Sequence, residues 1–233
     1  MATFVLLPGG WHGGWWYQPL VDRLRQHGQQ AHPITLSGVG DRSRPGSASV
    51  NVDTHIEDVI GYLDNQHIDN AVLVAHSYSG MVMTAVADRI PHRIAALVYI
   101  DAPVPQDGQS LWSITTDRYR RYFVRAATDG YTVDPPPNLD PRTTGQPLAT
   151  FVQPIRLTGA VDQIAERYFI YLSGWDGNPL DEQRAQLLSD PRWTVLALPH
   201  GHDVMAEAPD DILRILLHIS ARKQVSTSAI ELR

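Results

Sequence analysis

The chain has 233 residues, a formal net charge of −6, a pI near 5.9 and no cysteine. That length suits one domain with room for an insertion. The acidic balance argues against non-specific nucleic-acid binding, which needs a basic face, and the missing cysteines rule out disulfides, thiolate metal sites and a cysteine nucleophile. The chain opens on an apolar run, residues 3–7, that leads straight into Pro8-Gly9-Gly10 with no basic segment before it. It reads as a first strand, not a signal peptide. No later run reaches the length of a membrane span, so the expectation is a cytoplasmic protein without a membrane partner.

After the glycine-rich loop, Leu20, Val21 and Leu24 predict a first helix that stops near Gly28. A second strand is predicted over 31–35. In 54–63 the residues Ile56, Val59, Ile60 and Leu63 keep helical spacing, with Thr54 and Glu57 as a capping box. The third strand, 71–75, ends at His76-Ser77-Tyr78-Ser79-Gly80, and a helical stretch follows at once. Strand, sharp turn and helix around a serine flanked by small residues two positions away, here Ala75 and Ser79, is how a nucleophile elbow reads. No other serine of the chain has small residues at both positions. The fourth strand, 95–100, runs into Asp101, a carboxylate at the end of a buried strand that needs partners. Residues 103–159 interrupt the alternation with a helical, Arg- and Tyr-rich piece at 110–128 and a stiff Pro135-Pro136-Pro137 segment; the aromatics in it point to an ordered cap. Strands at 168–172 and 194–198 and a closing helix at 211–220 complete the pattern, and 224–233 reads as a loosely packed tail. Near-continuous apolar strands alternating with helices mean a parallel α/β sheet with its site at the C-terminal strand ends.

An activated serine needs a base and an acid that orients the base. Ten histidines offer themselves. His202, after Gly201 in the loop between the last strand and last helix, is preferred to His200. His76 is expected to point away and pack, while His27, His55, His67, His92 and His218 fall on helices or polar turns and read as solvated. Two acids keep the order Ser, Asp, His: Asp101, and Asp176 in Gly174-Trp175-Asp176-Gly177. Asp101 is preferred, because an aspartate between Trp and Gly commonly just makes a turn. Two backbone amides must hold the oxyanion; Tyr78 supplies one and the loop after the first strand the other. Trp11 and His12 of that loop are expected beside the substrate, with Trp112 contributed by the cap.

Taken together, these segments resemble the α/β-hydrolase superfamily, and most closely its branch of plant methylesterases, salicylate-binding esterases, hydroxynitrile lyases and bacterial relatives. The branch opens on a strand and then His-Gly-small-x-His-Gly-x-Trp, which this chain matches as Pro8-Gly9-Gly10-Trp11-His12-Gly13-Gly14-Trp15, with proline for the first histidine. The resemblance makes Gly10 the second oxyanion donor. Its Gly-His-Ser-x-Gly-Gly appears as Ala75-His76-Ser77-Tyr78-Ser79-Gly80, and its Gly-x-x-His maps onto Gly201-His202. Two departures stand out. Plant members carry the acid after the fifth strand, where this chain has Trp175 at the acid position and Asp176 beside it. Some relatives of the dehalogenase and cofactor-free dioxygenase type place it where Asp101 stands. The branch also assigns a lysine to cyanohydrin cleavage, whereas the one lysine here is Lys223 in the tail.

The expectation is therefore an α/β-hydrolase fold with a six-stranded parallel sheet in the order 2-1-3-4-5-6. The core spans 1–102 and 160–222, the cap 103–159 and the tail 223–233. The expected activity is cleavage of a small, largely apolar carboxylic ester or lactone by Ser77, His202 and Asp101, with no metal and no cofactor. A small-molecule substrate is the expected partner, with a homodimer left open. A cofactor-free oxygenase or carbon–carbon lyase driven by His202 and Asp101, and a small-molecule receptor, are the competing classes on the same scaffold.

Overall fold

The computed structural model describes residues 1–44 and 49–231, with side chains as far as Arg222. The described residues contain eight strands: β1 (Thr3–Leu7), β2 (Gln30–Pro33), β3 (Ala71–His76), β4 (Ile94–Ile100), β5 (Thr132–Val133), β6 (Gln146–Pro147), β7 (Arg167–Leu172) and β8 (Trp193–Leu198). Six of them pair in parallel in the order β2-β1-β3-β4-β7-β8, while β5 and β6 form a short antiparallel hairpin of their own. Counting sheet strands only, this is the expected 2-1-3-4-5-6. The helices are α1 (Gln18–Gln26), α2 (Val52–Asn65), α3 (Ser79–Arg89), α4 (Leu111–Ile114), α5 (Asp117–Ala126), α6 (Ala149–Val152), α7 (Asp181–Leu188), α8 (Val204–Glu207) and α9 (Pro209–Glu231).

Alternation along the strands builds two cores. Val5 and Leu7 of β1, Leu73 and Ala75 of β3, and Leu97 and Tyr99 of β4 face α2, α3 and the cap. Phe4 and Leu6, Val72 and Val74, and Val98 and Ile100 face α1, α8 and α9. Burying a side chain of this kind contributes about 1.5–3 kcal/mol, so both faces must be covered, and helices on both faces do so. In α2 the buried stripe is Val52, His55, Ile56, Val59 and Leu63, at 3- and 4-residue spacing.

Three local expectations change. The capping box of α2 is Asn51 with Thr54, each side chain bonding the other's backbone N–H, so the helix starts two residues early; Glu57 instead pairs with Arg89 of α3 at 2.6 Å. The stretch 110–128 is two helices, because Thr115 and Thr116 are extended. Arg120 stabilises the break by donating to the carbonyls of Trp112 (2.8 Å) and Ser113 (3.1 Å), which the short α4 leaves unpaired. The closing helix starts at Pro209 and its backbone continues to Glu231, through most of the expected tail. Side chains from Lys223 onward, and residues 232 and 233, lie outside the described residues.

Candidate active site

Three adjacent strands end in strained residues at one edge of the sheet. Trp11 after β1, Ser77 after β3 and Asp101 after β4 have φ of 68°, 51° and 45°. Left-handed backbone is uncommon outside glycine and clusters at functional sites. The elbow at Ser77 is held by its N–H on the Ile100 carbonyl (3.2 Å) and by the Gly80 N–H on its own carbonyl (3.0 Å). Gly80 must be glycine, since a Cβ there would meet the Pro103 carbonyl oxygen at 2.3 Å. Ser79, a departure from the branch pattern, donates its hydroxyl to the Pro8 carbonyl and ties the elbow to the first loop.

The loop after β8 carries His202 to the same edge. Its Nε2 lies 3.0 Å from Ser77 Oγ and its Nδ1 2.7 Å from Asp101 Oδ2. With Nδ1–H donating to the carboxylate, Nε2 is free to accept the Ser77 hydroxyl. Asp101 is fully buried, and three further donors surround it: Trp175 Nε1 (3.0 Å), Asn178 Nδ2 (2.8 Å) and the Leu172 N–H (3.3 Å). Such a set holds the carboxylate in one orientation. Asp176 is exposed in the turn beyond, and its neighbour Trp175 is the side chain that reaches the carboxylate. His200 turns away and pairs with Asp211 of α9 at 2.7 Å.

His76 does not point away from this edge. It alternates onto the α1 face, stacks on Trp16 at 4.4 Å and donates from Nε2 to the His202 carbonyl at 2.9 Å, because the His202 loop crosses that face. Burial, foremost, holds its pKa well below the ordinary histidine value. His55, expected in solvent, is fully buried: its position three residues after Val52 puts it in the apolar stripe of α2, a signal present in the sequence. Its Nε2–H donates to the Ser37 carbonyl at 2.8 Å, and its Nδ1 therefore accepts from the Tyr78 hydroxyl at 2.9 Å. Burial brings the His55 pKa down to about 4. His27, His67, His92 and His218 are exposed.

A cavity of about 170 Å³ opens over Ser77. Gly10, Trp11, His12 and Tyr78 line it, and so do Trp16, Phe123 and Phe151, which sequence reasoning did not assign to the site. Among the described residues no backbone acceptor takes the N–H of Gly10 or of Tyr78. Trp112 does not line the cavity. On α4 the inward positions are Leu111 and Ile114, at i and i+3, with Thr115 just past its end, and Trp112 lies a quarter turn away. Phe151 is the hub of the wall: its ring lies 5.6 Å from Trp11, 5.4 Å from Tyr78 and 4.5 Å from Phe123. Among the described residues no group of three His, Cys, Asp or Glu is placed to hold a metal ion, and no helix is long and apolar enough to cross a membrane.

The family model described as the alpha/beta hydrolase family matches residues 4–215. The chain is 36% identical over 234 residues to the carbendazim hydrolyzing esterase of Nocardioides sp. (strain SG-4G), covering 91% of this chain and 97% of that protein. It is 32% identical over 106 residues to methylesterase 18 of Arabidopsis thaliana, covering 45% of this chain and 40% of that one. Among solved structures, an extracellular α/β-hydrolase from a Paenibacillus species superposes with a TM-score of 0.80 at 17% identity, over 94% of this chain and 98% of that one.

Proposed function

The chain belongs to the alpha/beta hydrolase family, and from that premise we propose that it is a serine esterase for small, largely apolar carboxylic esters. The observation that carries this reading is the hydrogen-bonded line Ser77–His202–Asp101, with steps of 3.0 and 2.7 Å, under an apolar cavity. Both curated relatives described above are esterases by name, which supports the reaction class.

The geometry performs the reaction in two halves. His202 Nε2 takes the Ser77 proton as Oγ bonds the ester carbonyl carbon, and the carbonyl oxygen becomes an oxyanion facing the Gly10 and Tyr78 amides. Asp101 holds the neutral tautomer beforehand and stabilises the imidazolium that forms. The imidazolium then protonates the departing alkoxide and leaves an acyl group on Ser77. Water, deprotonated by His202, attacks that group; collapse releases the acid and returns the proton to Ser77. The substrate class follows from the wall. A closed apolar cavity of about 150 Å³ holds one benzene, so 170 Å³ lined by Trp11, Trp16, Phe123 and Phe151 suits a substituent of one-ring size.

Wild type and Ser77→Ala, assayed side by side on p-nitrophenyl acetate and butyrate, test the reading. Intact-mass spectrometry after a fluorophosphonate probe gives the second readout. Turnover and a single adduct are expected in wild type only. Absence of both in wild type overturns it and turns attention to oxygen uptake or ligand binding without turnover.

A further inference from the structure

The reading above makes Gly10 an oxyanion donor, and the loop that carries it has little backbone bonding of its own, the His12 N–H to the Gly9 carbonyl at 3.3 Å. Gly9 and Gly10 follow one another, and glycines without Cβ leave the backbone free to turn. A Cβ at Gly9 would meet His76 Nδ1 at 2.7 Å, too close to fit without a shift, and one at Gly10 would press on the Phe151 ring at 3.3 Å. Further restraint comes from side chains, one in the loop and one in the cap. The peptide that joins Gly10 to Trp11 is bonded on both edges. Its carbonyl accepts from His12 Nδ1 at 2.7 Å, and its N–H donates to Gln146 Oε1 at 2.9 Å. Trp11, at φ 68°, is held twice more by the same region of the cap: its indole N–H donates to the Val133 carbonyl (2.8 Å) and its own carbonyl accepts the Thr144 N–H (3.1 Å).

We infer that Gln146, with His12 on the opposite edge, is a positioning residue that locks the Gly10–Trp11 peptide and thereby aims the neighbouring Gly10 amide at the reacting carbonyl. Gln146 sits on β6, is buried, and is absent from the cavity lining, so it acts on the loop and not on the substrate. Its amide has one orientation. Thr150 Oγ1 donates to the Pro147 carbonyl at 2.6 Å, which leaves that oxygen to accept Gln146 Nε2 at 2.8 Å and turns Oε1 toward Trp11. The hairpin of β5 and β6 is thus the part of the fold that sets half of the oxyanion hole. The inference rests on the serine-esterase reading.

Gln146→Leu removes the acceptor and keeps an apolar side chain of similar size. The variant is compared with wild type in kcat and KM on p-nitrophenyl acetate, in inhibition by a trifluoromethyl ketone, whose adduct carries the oxyanion, and in thermal midpoint. Expected is a fall in kcat of about 10- to 100-fold, less than or equal to loss of a whole donor. KM should stay within about two-fold, and ketone affinity should fall by the same factor as kcat. Thr150→Val should lower kcat in the same direction, and Thr150→Ser should recover it. Unchanged kcat in Gln146→Leu overturns the inference. So does a loss of kcat without a matching loss of ketone affinity. If Gln146→Leu does not fold, His12→Phe applies the same kcat-to-ketone comparison at the other edge of the peptide. Failure of the underlying reading looks different: wild type itself would neither bind the ketone nor differ from Ser77→Ala.

Discussion

Asp101 lies behind His202 with four hydrogen bonds on its two carboxylate oxygens, one of them from Trp175. At the position where the plant branch carries its acid, this chain has a side chain that serves the acid from the neighbouring strand end. Replacing Asp101 by Asn would put an amide against His202 Nδ1 and favour the tautomer with its proton on Nε2, facing Ser77. The expected loss in kcat is about 10⁴-fold with the fold retained. Asp176→Asn should stay within about two-fold, since that side chain is exposed. Steady-state kinetics on p-nitrophenyl butyrate for both variants measures the contrast.

At the scale of elements, the charged cap helix α5 docks through an aromatic side chain and not through its arginines. In α5 only Phe123 is buried, and it packs on Phe151 of α6, while Arg118, Arg121 and Arg125 face solvent. Phe123→Ala should cost about 3–5 kcal/mol, the range for truncating a buried aromatic. Because Phe123 also lines the cavity, the same change should shift preference from p-nitrophenyl acetate toward longer acyl chains. Urea unfolding and the ratio of kcat/KM across an acyl-length series check both halves. A fall in stability with no change in that ratio would place Phe123 outside the acyl-binding wall.

Across the whole molecule, three buried histidines make stability depend on pH with one sign. His12, His55 and His76 all have pKa values lowered first by burial, His55 to about 4. Each therefore stays neutral to lower pH in the folded protein than in the unfolded chain, where it takes up a proton near pH 6.5. The unfolded state therefore binds more protons in this window, and stability falls as pH drops from about 6.5 toward 4. From His55 alone the loss between pH 8 and pH 5 should be about 2 kcal/mol. Urea titrations at those two pH values measure it, and His55→Gln should shrink the difference; an unchanged difference would move its origin to other groups.

The strand order, the elbow at Ser77 and the arrival of Asp101, Asp176 and both loop histidines at one sheet edge were legible in the chain. Strands buried on two faces announce themselves as apolar runs, and a parallel sheet sends every strand end to the same side. What lies across that edge was not legible. His202 and Ser77 are 125 positions apart, and Trp11 and Gln146 are 135 apart, so no local pattern encodes either bond. The contacts of Asp101, not its neighbours in sequence, place it rather than Asp176 against His202. His55 is an intermediate case: the spacing from Val52 marked its face, but only packing revealed that Tyr78 and Ser37 supply the partners a buried imidazole needs. Trp112 lies outside the cavity lining, which was not legible for the complementary reason that four residues of α4 are too few for periodicity to show which side faces the cavity. Local propensity and hydrophobic period determined the scaffold. The pairing of polar groups, which depends on distances of about 3 Å between remote segments, was decided by the tertiary structure alone.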